Sequence, residues 1–250
     1  MEIPILMYHH IRPDVEGTVN EFVVRPEAFE AQVKYLSRKG YRAASVEEAA
    51  RRARGTWGAG GADPAARLAI SDRVCVLTFD DGYQDVWEHA VPILDRYGFV
   101  GTVFAIASHL GGVNAWSSGE DRLMNADQLK TLWRKGWTIG SHTCSHPHLP
   151  TLPEERQKME LMESKKLLET VIGETVNTFA YPYNEWDRVT RRLVWETGYD
   201  FGCAISCPER SVFEDPYAVR RVFVKRSDSL LSFKRKVSKW YLRYRGLMKH

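Results

Sequence analysis

The sequence VCVLTFDDG at residues 74–82 decides the fold of this chain. Five of its first six residues are apolar, and a short apolar run that ends at turn residues predicts a buried strand. Successive side chains of a strand point to opposite faces, so Asp80 and Asp81 at its end are not equivalent. One carboxylate could bind a metal ion while its neighbour remains free to transfer a proton. The alternative is a polar loop in which Gly82 permits a turn.

The composition indicates a folded protein with a sizeable core. The chain has 250 residues, 44% of them hydrophobic and 27% charged, which suffices for one α/β domain or two small ones. Its 4 cysteines are scattered and form no CxxC pair, so a disulfide framework is not expected. The apolar run near Met1 is too short for a secretory signal, and no run is long enough to cross a membrane. We therefore expect a cytoplasmic location.

Predicted strands alternate with predicted helices along most of the chain. Strands are expected at residues 3–8, at the start of 41–50, within 74–82, at 101–107, 137–140 and 179–183, and near Phe201 and Val219. Helices are expected at residues 26–40, late in 41–50, and at 86–97, 125–135, 153–172 and 189–196, with a surface loop at 55–66. This spacing is typical of parallel βα units, and seven or eight short strands favour a barrel. The sequence thus predicts an α/β barrel of about seven parallel strands, a single domain over residues 1–228.

A second polar cluster follows the strand predicted at residues 137–140. His142, His146 and His148 fall within one short segment of a chain that has 8 histidines. Two imidazoles four residues apart, joined by a carboxylate from another strand, would form a 2-His-1-carboxylate site for a divalent metal. Thr143 excludes the HExxH pattern, since it stands where the glutamate would be. The alternative is a polar loop with incidental histidines, and we assign no ligand role to His148.

Three motifs together resemble a known family. TFDDG at residues 78–82, SHTCSH at 141–146 and FAYPY at 179–183 look like the first three motifs of the polysaccharide deacetylases, the NodB-homology or carbohydrate esterase family 4 enzymes. The resemblance covers roughly residues 3–224. It implies a deformed (β/α) barrel and metal-dependent removal of N-acetyl, sometimes O-acetyl, groups from sugars.

The resemblance also implies roles for individual residues. Asp81, His142 and His146 would be the metal ligands, with zinc the first candidate and cobalt, nickel or iron the alternatives. Asp80 would be the general base that takes a proton from the attacking water. The backbone N–H of Tyr183 would stabilise the developing oxyanion, which Pro182 cannot do because it has no N–H.

The chain departs from the family pattern at two places. Ala180 stands where many members have an arginine that orients the base, and the late Leu-x-His motif that supplies the general acid is missing. MYHHI at residues 7–11 instead resembles the early YH motif of the poly-N-acetylglucosamine deacetylases. We therefore predict His9 as the general acid and His10 as the second candidate. Arg220 and Arg221 are candidates to replace the missing arginine beside the base.

Further residues are predicted to contact an N-acetylated glycan. Tyr181, Tyr183 and Trp116 would suit a sugar ring, although aromatic residues are also ordinary core residues. Pro182 and His10 complete the predicted substrate contacts. Two other functions remain open: a metal-dependent hydrolase of a non-peptide C–N bond in a small molecule, and a catalytically silent glycan-binding barrel.

Residues 229–250 predict a basic amphipathic helix. Seven basic residues follow Asp228, the last acidic residue, and the whole chain carries only +3, so the body of the chain is net acidic. Apolar and aromatic residues recur in this segment at helical spacing. The helix could lie on an anionic membrane surface, the inner face of a membrane for a cytoplasmic protein, or pack against the barrel with its lysines in water. A nucleic-acid partner is not expected because the body is acidic.

Overall fold

The fold is built on a sheet of short parallel strands. A computed structural model of the chain describes residues 2–14, 20–54, 73–114, 116, 121–206 and 213–247. Its strands are β1 (Ile5–Tyr8), β2 (His10–Ile11), β3 (Val23–Val24), β4 (Tyr41–Ala43), β5 (Arg73–Phe79), β6 (Thr102–Ala105), β7 (Thr138–Ser141), β8 (Thr178–Ala180), β9 (Phe201–Ala204), β10 (Val219–Arg220) and β11 (Val222–Phe223). Eight of them pair side by side in the order β10-β9-β8-β7-β6-β5-β1-β11, with β4 on β5 outside this path and β2 paired with β3 separately. Each of these pairs is parallel.

One residue joins the two ends of the sheet. Strand β10 pairs with β9 and strand β11 pairs with β1, and only Arg221 lies between β10 and β11. The Arg221 N–H donates to the Ala204 carbonyl of β9 at 2.7 Å. The chain therefore changes its pairing partner from β9 to β1 across this single residue. The sheet is therefore a nearly closed parallel barrel, which confirms the predicted fold class.

Helices surround the barrel where the sequence predicts them. They are α1 (Pro26–Arg38), α2 (Val46–Arg54), α3 (Val91–Tyr97), α4 (Ala126–Arg134), α5 (Glu154–Ile172), α6 (Arg188–Glu196), α7 (Leu230–Lys236) and α8 (Lys239–Leu247). The helix predicted over residues 86–97 starts as a π-helical turn, Val86–Ala90, because Pro92 has no N–H to continue a regular α-helical ladder. The loop predicted at residues 55–66 lies outside the described residues. No described helix has the length and apolar character that a membrane span requires.

The segment predicted as one C-terminal helix is two helices. Helix α7 ends before Val237 and helix α8 starts at Lys239. Ser238 causes the break, because its hydroxyl accepts the Tyr241 N–H at 3.3 Å and its carbonyl accepts the Leu242 N–H at 3.1 Å. A serine in this position caps a new helix start.

Side chains alternate between the inside and the outside of the barrel. On β5, Val74 and Val76 belong to an inner cluster that also contains residues of β1, β6, β8, β9 and β10, whereas Leu77 and Phe79 belong to the outer core beneath the helices. Helix α2 contributes Val46 and two alanines to the inner cluster. The inner face of β5 therefore continues from Val76 towards Asp80 at the end of the strand.

Gly140 on β7 leaves room for a core ring. A Cβ atom at this position would lie 2.5 Å from the Phe104 ring and 2.8 Å from the Thr178 hydroxyl. Gly140→Ala should therefore lower the free energy of unfolding by about 1–3 kcal/mol through overpacking. Phe104→Leu should relieve the clash, so the double variant should lose less than the sum of the two single losses in urea denaturation. Additive losses would contradict this packing account.

Candidate metal centre and active site

Most of the predicted site residues line one cavity at the carboxyl ends of the strands. Its volume is about 490 Å³. Its walls include both acids of the TFDDG motif, both histidines of the early motif MYHHI and both histidines of SHTCSH. The lining residues are Met7, His9, His10, Asn20, Glu21, Phe22, Asp80, Asp81, Tyr83, Trp116, Asp121, His142, His146, Tyr181, Tyr183, Asn184, Ile205, Arg221, Phe223 and Lys225.

Asp81, His142 and His146 form a cluster that could hold a metal ion. The Oδ1 atom of Asp81 lies 3.4 Å from His142 Nε2 and 3.3 Å from His146 Nε2, and all three side chains are buried. One potential ligand atom from each residue lies within 4.8 Å of the others. Among the described residues Asp81 Oδ1 accepts no hydrogen bond, an uncommon state for a buried carboxylate oxygen. The donor set and this orphaned oxygen fit a divalent cation.

The protonation states of the cluster also suit a cation. Burial lowers the pKa of His142 to about 4, so its imidazole is neutral near pH 7 and can offer a lone pair. Burial alone would raise the pKa of Asp81, but the neighbouring His146, His9 and His142 lower it far below its ordinary value. The aspartate is therefore ionised, as a metal ligand must be.

Hydrogen bonds fix the two histidines of the cluster. His142 Nδ1 donates to the Ala180 carbonyl at 2.7 Å, which leaves Nε2 directed at Asp81. Thr143 and His146 both have positive φ values, 69° and 61°, and the His146 N–H donates to the Thr143 hydroxyl at 2.9 Å. From helix α5, Glu160 accepts two backbone N–H groups of this loop at 2.9 Å each. The loop is thus held in a backbone conformation that non-glycine residues adopt rarely.

Asp80 has a different partner from Asp81. Its two oxygens accept hydrogen bonds from Arg221, 2.6 Å from Nη1 and 2.8 Å from Nη2, and both side chains are buried. Burial alone would raise the pKa of Asp80, but the charge of Arg221, together with His142, lowers it below the ordinary value. Arg221 also donates to the Thr78 hydroxyl at 3.1 Å. Of the two candidate arginines, Arg220 and Arg221, the structure places Arg221 beside Asp80.

His9 and His10 differ in their surroundings. The Nδ1 atom of His9 is buried and finds no hydrogen-bond partner in the described part of the chain, and its ring contacts Phe22 at 4.6 Å and Phe223 at 5.8 Å between centroids. Burial lowers the pKa of His9, while the charges of Asp80 and Asp81 oppose this shift.

His10 has several polar and aromatic partners. Its Nδ1 lies 2.7 Å from an oxygen of Asp85, its Nε2 lies 3.7 Å from an oxygen of Asp121, and its ring stacks on Tyr83 at 3.7 Å. The Asp85 carboxylate also accepts the Ile11 N–H at 3.0 Å. His10 is thereby fixed in the cavity wall, although it lines the same cavity as His9.

The FAYPY motif ends in a tight turn beside the metal cluster. Tyr183 has a φ of 56° and Asn184 a φ of 57°, both in the left-handed region. Within the described residues the Tyr183 N–H makes no hydrogen bond, and the Tyr183 ring lies 4.6 Å from the His146 ring. The Tyr183 ring also stacks on His148, whose Nδ1 lies 2.8 Å from Glu185. His148 is half exposed and lies outside the cluster, in agreement with its having no assigned ligand role.

Of the remaining predicted substrate contacts, Trp116 and Tyr181 line the cavity and Pro182 does not. Trp116 lies in the cavity wall with its ring 4.7 Å from that of His146. Tyr181 also lines the cavity, but it is 1% exposed and its hydroxyl donates to the Tyr217 carbonyl at 2.7 Å. Pro182 is buried and is not part of the lining.

Sequence reasoning missed several residues of the cavity wall. Phe22, Phe223 and Tyr83 line it, as does the ion pair between Glu21 and Lys225 at 2.9 Å. Most of these residues lie in loops or two-residue strands, where neither periodicity nor a motif marks them. For Tyr83, its position directly after the TFDDG motif is the one sequence feature that could have marked it as a residue of the cavity wall.

Comparison with proteins of known family supports the three-motif resemblance. A family model described as polysaccharide deacetylase matches residues 69–202, more than half of the chain. "Putative polysaccharide deacetylase YxkH" of Bacillus subtilis (strain 168) is 30% identical over 229 residues, covering 89% of this chain and 71% of that protein. Poly-beta-1,6-N-acetyl-D-glucosamine N-deacetylase of Staphylococcus aureus (strain NCTC 8325 / PS 47) is 23% identical over 173 residues, 66% of this chain and 57% of that protein.

Solved structures share the fold. Streptococcus pyogenes deacetylase PplD in complex with acetate matches with a TM-score of 0.78 and 23% identity, covering 95% of this chain and 99% of that chain. IcaB from Ammonifex degensii matches with a TM-score of 0.73 and 21% identity, covering 97% of each chain. At these sequence identities the similarity shows a shared barrel fold and nothing further.

The Asp80–Arg221 ion pair makes a testable contribution to stability. Arg221→Met should lower the free energy of unfolding by about 3–5 kcal/mol near pH 7, because it leaves Asp80 buried without its counter-charge. The pKa of Asp80 is lower in the folded protein than in the unfolded chain. The contribution of the pair is therefore fully present above about pH 4 and is lost as the pH falls through the folded-state pKa.

Urea denaturation of both proteins across this pH range measures the effect. The Asp80→Asn/Arg221→Met double variant is the control, and it should recover part of the stability because no buried charge remains. An equal difference between wild type and Arg221→Met at neutral and acidic pH would contradict the account.

Proposed function

The chain belongs to the polysaccharide deacetylase family, a family of carbohydrate deacetylases, and from that premise we propose that it removes N-acetyl groups from N-acetylated sugars by metal-dependent hydrolysis. One observation carries the proposal. The cluster of Asp81, His142 and His146 and the arginine-paired Asp80 face the same cavity. Polymers of N-acetylglucosamine are the proposed substrate class, supported by the name of the Staphylococcus aureus relative and by the early histidine motif.

The proposed metal site consists of Asp81, His142 and His146. Two imidazole nitrogens and one carboxylate oxygen suit zinc, and they also accommodate cobalt, nickel or iron. A divalent ion bound there would lower the pKa of a water molecule and polarise the acetyl carbonyl. The protein supplies ligands that are already ionised or neutral as required, and a backbone that holds them in place.

Asp80 is the proposed general base. It is ionised at neutral pH because Arg221 lowers its pKa, so it can accept a proton from the attacking water. Each carboxylate oxygen has two lone pairs, and the Arg221 hydrogen bonds use one on each, which leaves one free for the incoming proton. Arg221 thus orients the base without occupying it.

Tyr183 and His9 complete the proposed mechanism. The left-handed turn at Tyr183 leaves its N–H without a partner among the described residues, and this N–H would donate to the oxygen that becomes negative during attack. His9 would protonate the leaving amine. Its ring contacts Phe22 and Phe223 on the cavity wall, and the charges of Asp80 and Asp81 act on it.

The first test joins metal content to acetate release. The metal-loaded protein should release acetate from an N-acetylglucosamine oligomer, lose this activity to a chelator, and regain it when zinc is added back. Asp81→Asn should lose bound metal and activity together, whereas Asp80→Asn should retain the metal and lose activity. The control is His148→Gln, which should keep its metal because it lies outside the cluster.

Two results would overturn the proposal. Metal bound without acetate release from any oligomer would favour a glycan-binding barrel. Acetate or ammonia release from small amides, with none from glycans, would favour a hydrolase of small-molecule C–N bonds.

The second test separates the two histidines at the end of β1. His9→Ala should lower kcat by about 100-fold or more, with metal content unchanged, because general acid catalysis typically contributes that factor. His10→Asn should lower kcat less, since His10 Nδ1 already bonds to Asp85. Kinetics with an N-acetylglucosamine oligomer, with metal analysis of each variant, measure both effects. The assignment fails if the His9 variant keeps its turnover while the His10 variant loses it.

A further inference from the structure

The C-terminal helices α7 and α8 are attached to the barrel by one face. Phe233, Val237 and Leu242 are buried in the main hydrophobic core, and Tyr241 packs against it. Lys236 bonds to the Phe223 carbonyl at 2.8 Å and also pairs with Asp228. The two helices therefore have a fixed orientation on the body of the protein, and their other face is directed to solvent.

That outer face carries large apolar side chains. Leu231 is 77% exposed, Trp240 is 66% exposed, and Leu230 and Tyr244 are each more than one-third exposed. Trp240 and Tyr244, four residues apart on α8, stack with their rings parallel at 5.4 Å. Trp and Tyr are the residues that favour the boundary between lipid and water. Packing against the barrel thus uses one set of aromatic and apolar residues and leaves a second set uncovered.

Unpaired cations lie among these apolar residues. Arg235, Lys239 and Arg243 are exposed, and none forms an ion pair with a described residue, whereas the Lys234 ammonium lies over the Tyr35 ring of α1 at 5.3 Å. No acidic residue occurs after Asp228. On α8 the spacing of three and four residues puts Lys239 and Arg243 in the same stripe as Trp240 and Tyr244. The stripe is therefore both positively charged and apolar.

We propose that the outer face of α7 and α8 docks on the surface of an anionic lipid bilayer. Its charge complements anionic headgroups, and its aromatic pair and leucines can enter the boundary beneath them. A soluble polyanion would use the cations but would leave the apolar side chains in water. No described residue of α7 or α8 lines the cavity of the proposed chemistry, and the proposal does not depend on the deacetylase activity.

Sedimentation with lipid vesicles tests this docking. The full chain should sediment with vesicles of phosphatidylcholine containing about one-third phosphatidylglycerol, and far less with phosphatidylcholine alone. Lys239→Gln/Arg243→Gln should weaken binding by about 25-fold, since each basic residue near an anionic surface contributes about fivefold. Trp240→Ala/Tyr244→Ala should weaken it by a comparable factor, and that loss should persist when the salt concentration is raised.

Matched variants on another helix control for nonspecific effects. Lys130 and Arg134 are exposed on α4 with the same four-residue spacing, and Trp195 on α6 is 60% exposed. Lys130→Gln/Arg134→Gln and Trp195→Ala should bind vesicles within twofold of wild type. All of these positions are on the surface, so the folded state should persist, and far-UV circular dichroism checks it.

Three outcomes would overturn the proposal. One is equal sedimentation with neutral and anionic vesicles. Another is wild-type binding by the α8 variants. The third is a protein that binds heparin, a soluble polyanion, as tightly as it binds anionic vesicles, with vesicle binding unchanged by the Trp240 and Tyr244 substitutions. That result would indicate a polyanion site instead.

Discussion

The buried ion pair between Asp80 and Arg221 joins the chemistry of this protein to the closure of its barrel. Asp80 ends the central strand β5, and Arg221 is the single residue between β10 and β11, where the sheet nearly closes. Removing both charges from water is costly, and two short hydrogen bonds to Asp80 and one to the Thr78 hydroxyl offset that cost, while Arg221 Nε has no hydrogen-bond partner among the described residues. The closure of the barrel at Arg221 and the position of the Asp80 carboxylate therefore depend on each other.

The same pair gives two adjacent aspartates different chemical properties. Arg221 engages Asp80, while Asp81 turns towards His142 and His146 and keeps one oxygen without a hydrogen bond among the described residues. The turn that follows makes this possible, because Asp81 and Gly82 both adopt positive φ values, 68° and 75°. Glycine adopts positive φ values freely, whereas the same conformation is strained at Asp81. Interactions of the surrounding loop must offset that conformational energy. Two acids can thus enter one cavity without sharing a partner.

Much of the fold could be predicted from sequence because the signals are local. The apolar strands, the capped helix after Asn125 and the alternation of strands and helices all depend on neighbouring residues, and the structure confirms them. Strand alternation could also have separated the two histidines of MYHHI. Ile3 and Ile5 belong to the inner cluster, so the same alternation carries His9 inwards, next to Asp80.

Other features depend on contacts that the sequence does not display. Arg220 and Arg221 are adjacent, and only the register of β10 and β11 determines which one reaches Asp80. Tyr181 lines the cavity, and its hydroxyl donates to the carbonyl of Tyr217, a residue 36 positions away that no local pattern marks. The division of the tail into α7 and α8 follows from capping by Ser238, which competes with a continuous amphipathic pattern.

The division of labour between the two aspartates is the central claim, and anomalous diffraction from zinc-loaded crystals tests it most directly. We expect one anomalous peak at about 2.0–2.2 Å from a carboxylate oxygen of Asp81 and from nitrogens of His142 and His146. Asp80 should remain paired with Arg221 and should not coordinate the ion. A peak coordinated by Asp80, with Arg221 displaced from it, would contradict the account.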